Sequence, residues 1–319
     1  MFETSLPDDF PVPEFQSKLW AFNTHVHTVI PSQFWKTKPV NCKRIEIDTP
    51  DDDFIEIDVL DLNNTQPIVA LFHGLEGSSE RVYIRNLMHD LKLQGFSSVA
   101  MNFRGCGSKL NKQPRFYHSG ETTDYKLFFN WISETFPGRP VYAVGFSLGA
   151  NALIKSLGEW KENHPVEQAV AVSPPFDLKR GSYRMHHGIN RLYEYRFLRT
   201  LSGKLEQKRT LHPDLPTFSG NSIYDFDDQV TAKIHGFNSA DHYYDTCSSR
   251  LFIKDVQKPL LIIHSKEDTL CPFEYAPHYD INNNDHVDYI FTRKGGHVGF
   301  INKEENWLNR SIIQWFKHR

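Results

Sequence analysis

The chain has 319 residues, 39% apolar and 24% charged, a composition that excludes disordered and fibrous proteins. Lys and Arg total 36 against 39 Asp and Glu, and the net charge of −3 gives no overall pull toward nucleic acid. No run approaches the roughly 18 apolar residues of a membrane span. The N-terminal MFETSLPDDF lacks the basic and apolar regions of a secretory signal, and Cys42, Cys106, Cys247 and Cys271 form no CxxC pair. These features predict a cytoplasmic globular protein with reduced thiols and no stable membrane anchoring.

Short β-branched runs alternate with longer amphipathic ones, the pattern of an α/β sheet. Arg44–Asp48 and Phe54–Val59 read as two strands joined by the turn-rich Thr49–Asp53. Pro67–Phe72 reads as a strand buried on both faces, followed by a helix over Ser79–Leu93 that stops at Gly95. Strand Ser97–Phe103, helix Thr122–Phe136, strand Val141–Phe146, helix Ala150–Trp160 and strand Gln168–Val172 continue the alternation. It then breaks. Residues 176–255 are rich in Arg, Tyr, His and Asn, with helical fragments such as Asn190–Leu201, and are too long for an ordinary loop, so they predict a cap inserted into a core of residues 1–175 and 256–319. Strands Pro259–His264 and Val287–Phe291 and a helix over Glu304–Lys317 close the chain.

Gly145-Phe146-Ser147-Leu148-Gly149 places a GxSxG between a strand and a helix. Small residues on either side let the serine occupy a tight, strained turn with its hydroxyl at the carboxyl edge of the sheet. His73-Gly74-Leu75-Glu76-Gly77 follows the third strand, where a loop supplies the second oxyanion donor, so the N–H groups of Leu75 and Leu148 are the candidate pair. An acid after a late strand and a base after the last one complete the order Ser, Asp, His. Asp268 at the turn after Pro259–His264 is preferred to Glu267, and His297 in Lys294-Gly295-Gly296-His297 is the base. His25-Val26-His27 has the spacing of a metal-binding pair, but no further ligands accompany it, and no metal or cofactor is expected.

Several segments together resemble the YheT-like branch of the α/β-hydrolase superfamily, a group of serine esterases. They are Asn23–Thr28, His73–Ser78, Asn102–Gly107, Tyr117–Thr122, the elbow Gly145–Asn151, Tyr224–Asp228 and Gly236-Phe237. The resemblance implies an α/β-hydrolase fold with a mostly parallel sheet, a helical cap, and a triad of Ser147, Asp268 and His297. It also implies a small-molecule ester substrate, with acyl transfer to an alcohol or phospholipid cleavage as alternatives on the same triad. A non-catalytic binding protein would need none of these residues. Phe146, His73 and Tyr117 are candidate substrate contacts, and Arg104, His118 and Asp124 either shape the pocket or brace the loop and helix after the fourth strand. Between Phe176 and Asp214, nine Lys and Arg oppose four acids, a local +5 that would draw anionic esters if the segment overhangs the pocket. The cap shows no long apolar face, which favours soluble short-to-medium acyl esters over bulk lipid.

Overall fold

The computed structural model describes residues 2–319. Nine strands form one sheet: β1 (Phe2–Thr4), β2 (Lys43–Thr49), β3 (Asp53–Leu60), β4 (Ile68–Phe72), β5 (Ser97–Asn102), β6 (Val141–Phe146), β7 (Val166–Val172), β8 (Leu260–Ser265) and β9 (Val287–Thr292). Their order is β1-β9-β8-β7-β6-β4-β5-β3-β2. The run from β5 through β9 is parallel, and β1, β2 and β3 join antiparallel at the two sides. This is the expected mostly parallel sheet.

Every residue of β4, β5 and β8 is buried, because helices cover both faces. Alternate side chains supply two separate cores. Ala70, Phe72, Val99 and Met101 pack with Tyr125, Phe128 and Phe129 of the helix Thr123–Thr135 and with Leu153 and Leu157 of the helix Leu148–Trp160. On the other face Val69, Leu71, Ala100 and Phe146 pack with Leu87 and Met88 of a helix at Val82–Leu93 and with Trp307, Ile312 and Trp315 of the closing helix Trp307–His318.

Some boundaries differ from the sequence reading, for local reasons. The helix after β4 starts at Val82 rather than Ser79, because Arg81 ahead of it is extended at ψ 142°. The closing helix starts at Trp307 rather than Glu304, since Asn306 ahead of it is left-handed at φ 57°. Strand β1 and the helix Thr24–Phe34 were not anticipated. Between β7 and β8 lie Leu178–Met185, a 22-residue helix Asn190–Leu211, the run 223–235 and Ala240–Cys247. The long helix passes through Ser202-Gly203 because Gly203 faces open space while Leu205 and Lys208 beyond it are buried.

Arg104, 3% exposed, braces the core rather than the cavity. Its guanidinium takes Asp124 bidentately at 2.8 and 2.8 Å, Asp53 at 2.9 Å and Asp51 at 2.8 Å, tying the β2–β3 turn to the start of the helix Thr123–Thr135. Arg104→Met would leave buried carboxylates without their counter-charge, so urea unfolding should show a loss of about 3–5 kcal/mol. A loss below about 1 kcal/mol, the scale of an exposed pair, would contradict this bracing role.

Candidate active site

The carboxyl ends of β4, β6, β8 and β9 share one edge of the sheet, and each feeds one part of the site. After β6 the chain turns through Ser147 at φ 52° and ψ −118° straight into the helix Leu148–Trp160. Glycine is required on both sides. A Cβ on Gly145 would stand 2.6 Å from the Gly149 carbonyl oxygen, and one on Gly149 2.6 Å from that of His73. The Ser147 N–H is held by Val172 O at 2.9 Å.

Ser147 Oγ lies 2.8 Å from Nε2 of His297, whose Nδ1 lies 2.9 Å from Oδ2 of Asp268. A carboxylate only accepts, so Nδ1 carries the proton and Nε2 is left to meet the serine hydroxyl. The other Asp268 oxygen accepts the N–H groups of Leu270 and Cys271 at 2.9 and 3.0 Å. Burial alone would raise the Asp268 carboxyl, but the facing His297 charge and these hydrogen bonds hold it below the ordinary carboxylate range. Burial also opposes a charged His297, yet the Asp268 carboxylate keeps the imidazole well above its usual value.

The loop after β4 passes against the serine: a Cβ on Gly74 would stand 3.1 Å from that of Ser147. Leu75 and Leu148 both line the cavity here, and among the described residues their N–H groups have no acceptor. The cavity holds about 480 Å³, with Ser147 and His297 in its wall and Leu178, Met185, Phe197, Leu201, Ile223 and Phe226 contributing an apolar lining.

The Hydrolase_4 family, described as serine aminopeptidase, S33, matches residues 63–284. YheT of Escherichia coli (strain K12), itself a candidate esterase, is 36% identical over 92% of this chain and 90% of its own length. The chain belongs to the α/β-hydrolase family. A medium-chain fatty acid ethyl ester synthase/esterase of Saccharomyces cerevisiae is 30% identical over 78% of this α/β-hydrolase, which spans 62% of that relative. The esterase Pf2001 of Pyrococcus furiosus shares the fold at a TM-score of 0.61, with 20% identity over 89% of this chain and 94% of that one.

The residues singled out from sequence fall into two groups in this α/β-hydrolase. Ser147, Asp268, His297, Leu75, Leu148, Tyr117 and His118 border one cavity or join its hydrogen-bond chain. Glu267 instead reaches outward to Lys294 at 2.6 Å. Phe146 packs on Tyr83 within the core on one face of the sheet. His73 is fully buried, accepting the Phe103 N–H at Nε2 and bonding the Gly74 carbonyl through Nδ1, and burial pushes it down to about 3. It braces the loop as a neutral ring. Asp124 is occupied by Arg104.

The sequence reading left the supports of His297 unassigned. Thr28, on the helix Thr24–Phe34, accepts the His297 N–H at Oγ1 (2.9 Å), and His27 Nδ1 accepts the N–H of Ile301 at 2.9 Å. Glycine permits the approach, since a Cβ on Gly296 would meet Thr28 Oγ1 at 2.5 Å and one on Gly299 would overlap the His27 carbonyl. Val298, at φ 60°, donates its N–H to Ser173 Oγ at 3.1 Å. The Asn23–Thr28 motif is visible in the sequence, but its contacts with the His297 loop lie about 270 residues away.

Titration of 13C-histidine-labelled protein by NMR, with His297→Gln to assign the resonance, should place the His297 imidazole above the ordinary value of about 6.5. In Asp268→Asn the raising charge is gone and burial dominates, so the value should drop to that level or lower. A wild-type value at or below the ordinary one would contradict the electrostatics described.

Proposed function

We propose that this α/β-hydrolase cleaves carboxylic esters of short-to-medium acyl chains through an acyl-enzyme on Ser147. The observation that carries the reading is the unbroken hydrogen-bond chain Ser147–His297–Asp268 at the wall of an apolar cavity. His297 takes the proton of Ser147 as the hydroxyl oxygen attacks the ester carbonyl. Asp268 fixes the tautomer and stabilises the imidazolium. Leu75 and Leu148 direct their free N–H groups at the oxyanion of the tetrahedral intermediate. His297 then returns the proton to the departing alkoxide, and water repeats the sequence on the acyl-enzyme.

In this reading the helices between β7 and β8 act as a cap over the cavity, which lies in the size range of ordinary small-molecule sites. Of the nine cations noted between Phe176 and Asp214, Lys204 and Lys208 turn inward, and Arg196 and Arg199 border the cavity. Those two arginines support a modest steering of anionic esters. The apolar lining and the yeast ester synthase/esterase relative favour one second reading, transfer of the acyl group to an alcohol. Among the described residues no helix is long and apolar enough to cross a membrane, and all four cysteines are unpaired, which suits a reducing compartment.

A panel of p-nitrophenyl esters of graded chain length, with Ser147→Ala as the blank, tests this. The substitution should lower kcat by roughly 10⁶-fold with folding intact. Added ethanol separates hydrolysis from transfer by the appearance of an ethyl ester. Turnover surviving in Ser147→Ala, or turnover confined to aminoacyl anilides, would overturn the reading.

A further inference from the structure

One buried cluster beside the cavity has no part in the steps above. Glu76 directly follows Leu75 and holds φ 52°, a left-handed backbone rare for a side chain of this size. Its N–H donates to Tyr117 Oη at 2.7 Å, and the Tyr117 hydroxyl donates back to Glu76 Oε1 at 2.9 Å. The Glu76 carbonyl accepts from the Arg81 guanidinium. Glu76 and Tyr117 are each 7% exposed.

The counter-charge comes from the cap. Lys204, on the helix Asn190–Leu211, donates from Nζ to Glu76 Oε1 at 2.9 Å and to Cys106 Sγ at 3.3 Å, above the ring of Tyr117. Burial works against this ammonium, but Cys106 and Glu76 beside it keep it protonated. Among the described residues Lys204 is the cation paired with the Glu76 carboxylate, and a buried carboxylate that loses its paired cation turns away or takes up a proton. Either change weakens the acceptor of the Tyr117 hydroxyl, the group that holds the N–H of the residue next to Leu75.

We propose that Lys204 is a positioning residue that couples the cap to the oxyanion hole, its ion pair with Glu76 fixing the direction of the Leu75 N–H. The inference rests on the reading of Ser147 as nucleophile and of Leu75 as oxyanion donor. An oxyanion donor works only when aimed at the point where charge develops, so small rotations of that peptide cost rate more than binding. Lys208, one turn further along the same helix, provides the contrast. Its Nζ bonds the carbonyls of Gln113 and Arg115, anchoring the helix to the core without touching Glu76.

The test compares two ketones of the same acyl chain. A trifluoromethyl ketone accepts Ser147 Oγ at its carbonyl carbon, the serine proton passes to His297, and the oxygen becomes a bound oxyanion with no leaving group. The matched methyl ketone binds without appreciable addition. Lys204→Met should lower kcat roughly 10- to 100-fold with KM within about threefold, and weaken the trifluoromethyl ketone by the same factor as kcat/KM. The methyl ketone should bind as in wild type, and Lys204→Arg should recover most of the loss. If Lys204→Met does not fold, Glu76→Gln should show the same split. Parallel weakening of both ketones, an unchanged kcat, or the same profile in Lys208→Met would overturn the proposal. Equal affinity of the trifluoromethyl ketone for wild type and Ser147→Ala would remove the nucleophile reading itself, and the coupling with it.

Discussion

A serine with left-handed backbone, wedged between a strand and a helix with no room for a side chain on either neighbouring glycine, is the constraint on which this site depends. Because Gly149 touches the carbonyls of Phe72 and His73, and Gly74 touches Ser147, the elbow and the loop after β4 cannot move independently. That contact brings Leu75 and Leu148, whose N–H groups have no acceptor among the described residues, to the wall of the cavity that Ser147 lines. The positive φ angles of Glu76, Ser147, Ser173 and Val298 gather at this edge, each beside a proposed catalytic group or its direct support. Backbone strain of this kind persists only where surrounding structure over-determines it. Here the buried histidine His73, the hydroxyl of Tyr83 on Gly74 N–H, and Ser173 supply that determination.

Three separate parts of the molecule hold the proposed reacting groups in register. The sheet delivers Ser147 and Asp268 on strands two positions apart in the sheet order. The helix Thr24–Phe34, placed early in the chain, holds the His297 loop through Thr28 and His27. The elbow helix is tied in turn to the end of the helix Ala240–Cys247, because Asn151 bonds the carbonyls of Ser119 and Cys247 and the N–H of Ser249. The site is therefore preorganised by long-range contacts around a rigid sheet, which is what electrostatic stabilisation of a transient oxyanion demands.

Much of this was legible in the sequence. Strand β4 and the Leu260–Ile263 stretch of β8 are continuous apolar runs because both faces are covered, and the elbow carries its own steric signature in Gly145 and Gly149. The chain order of Ser147, Asp268 and His297 is the one the α/β-hydrolase pattern carries, nucleophile first, then acid, then base. What escaped the reading has a common physical origin. Thr28 with His297, Glu76 with Lys204, and Asn151 with Cys247 are contacts between residues about 100 or more positions apart, and no local period records them. The inward turn of Lys204 and Lys208 was hidden for the same reason: as a string of cations the segment reads as a solvated surface, and only packing against the core assigns those two a face.

The central claim is that Ser147 becomes covalently acylated by an ester, held and activated by His297 and Asp268. Rapid mixing with a p-nitrophenyl ester, acid quenching within the first turnover, and mass spectrometry of the digested protein test it most directly. The account predicts a burst of p-nitrophenol close to one equivalent when deacylation is slowed at low temperature, with the acyl mass on the peptide containing Ser147. An acyl mass on a different residue, or full turnover with no adduct at any quench time, would contradict it.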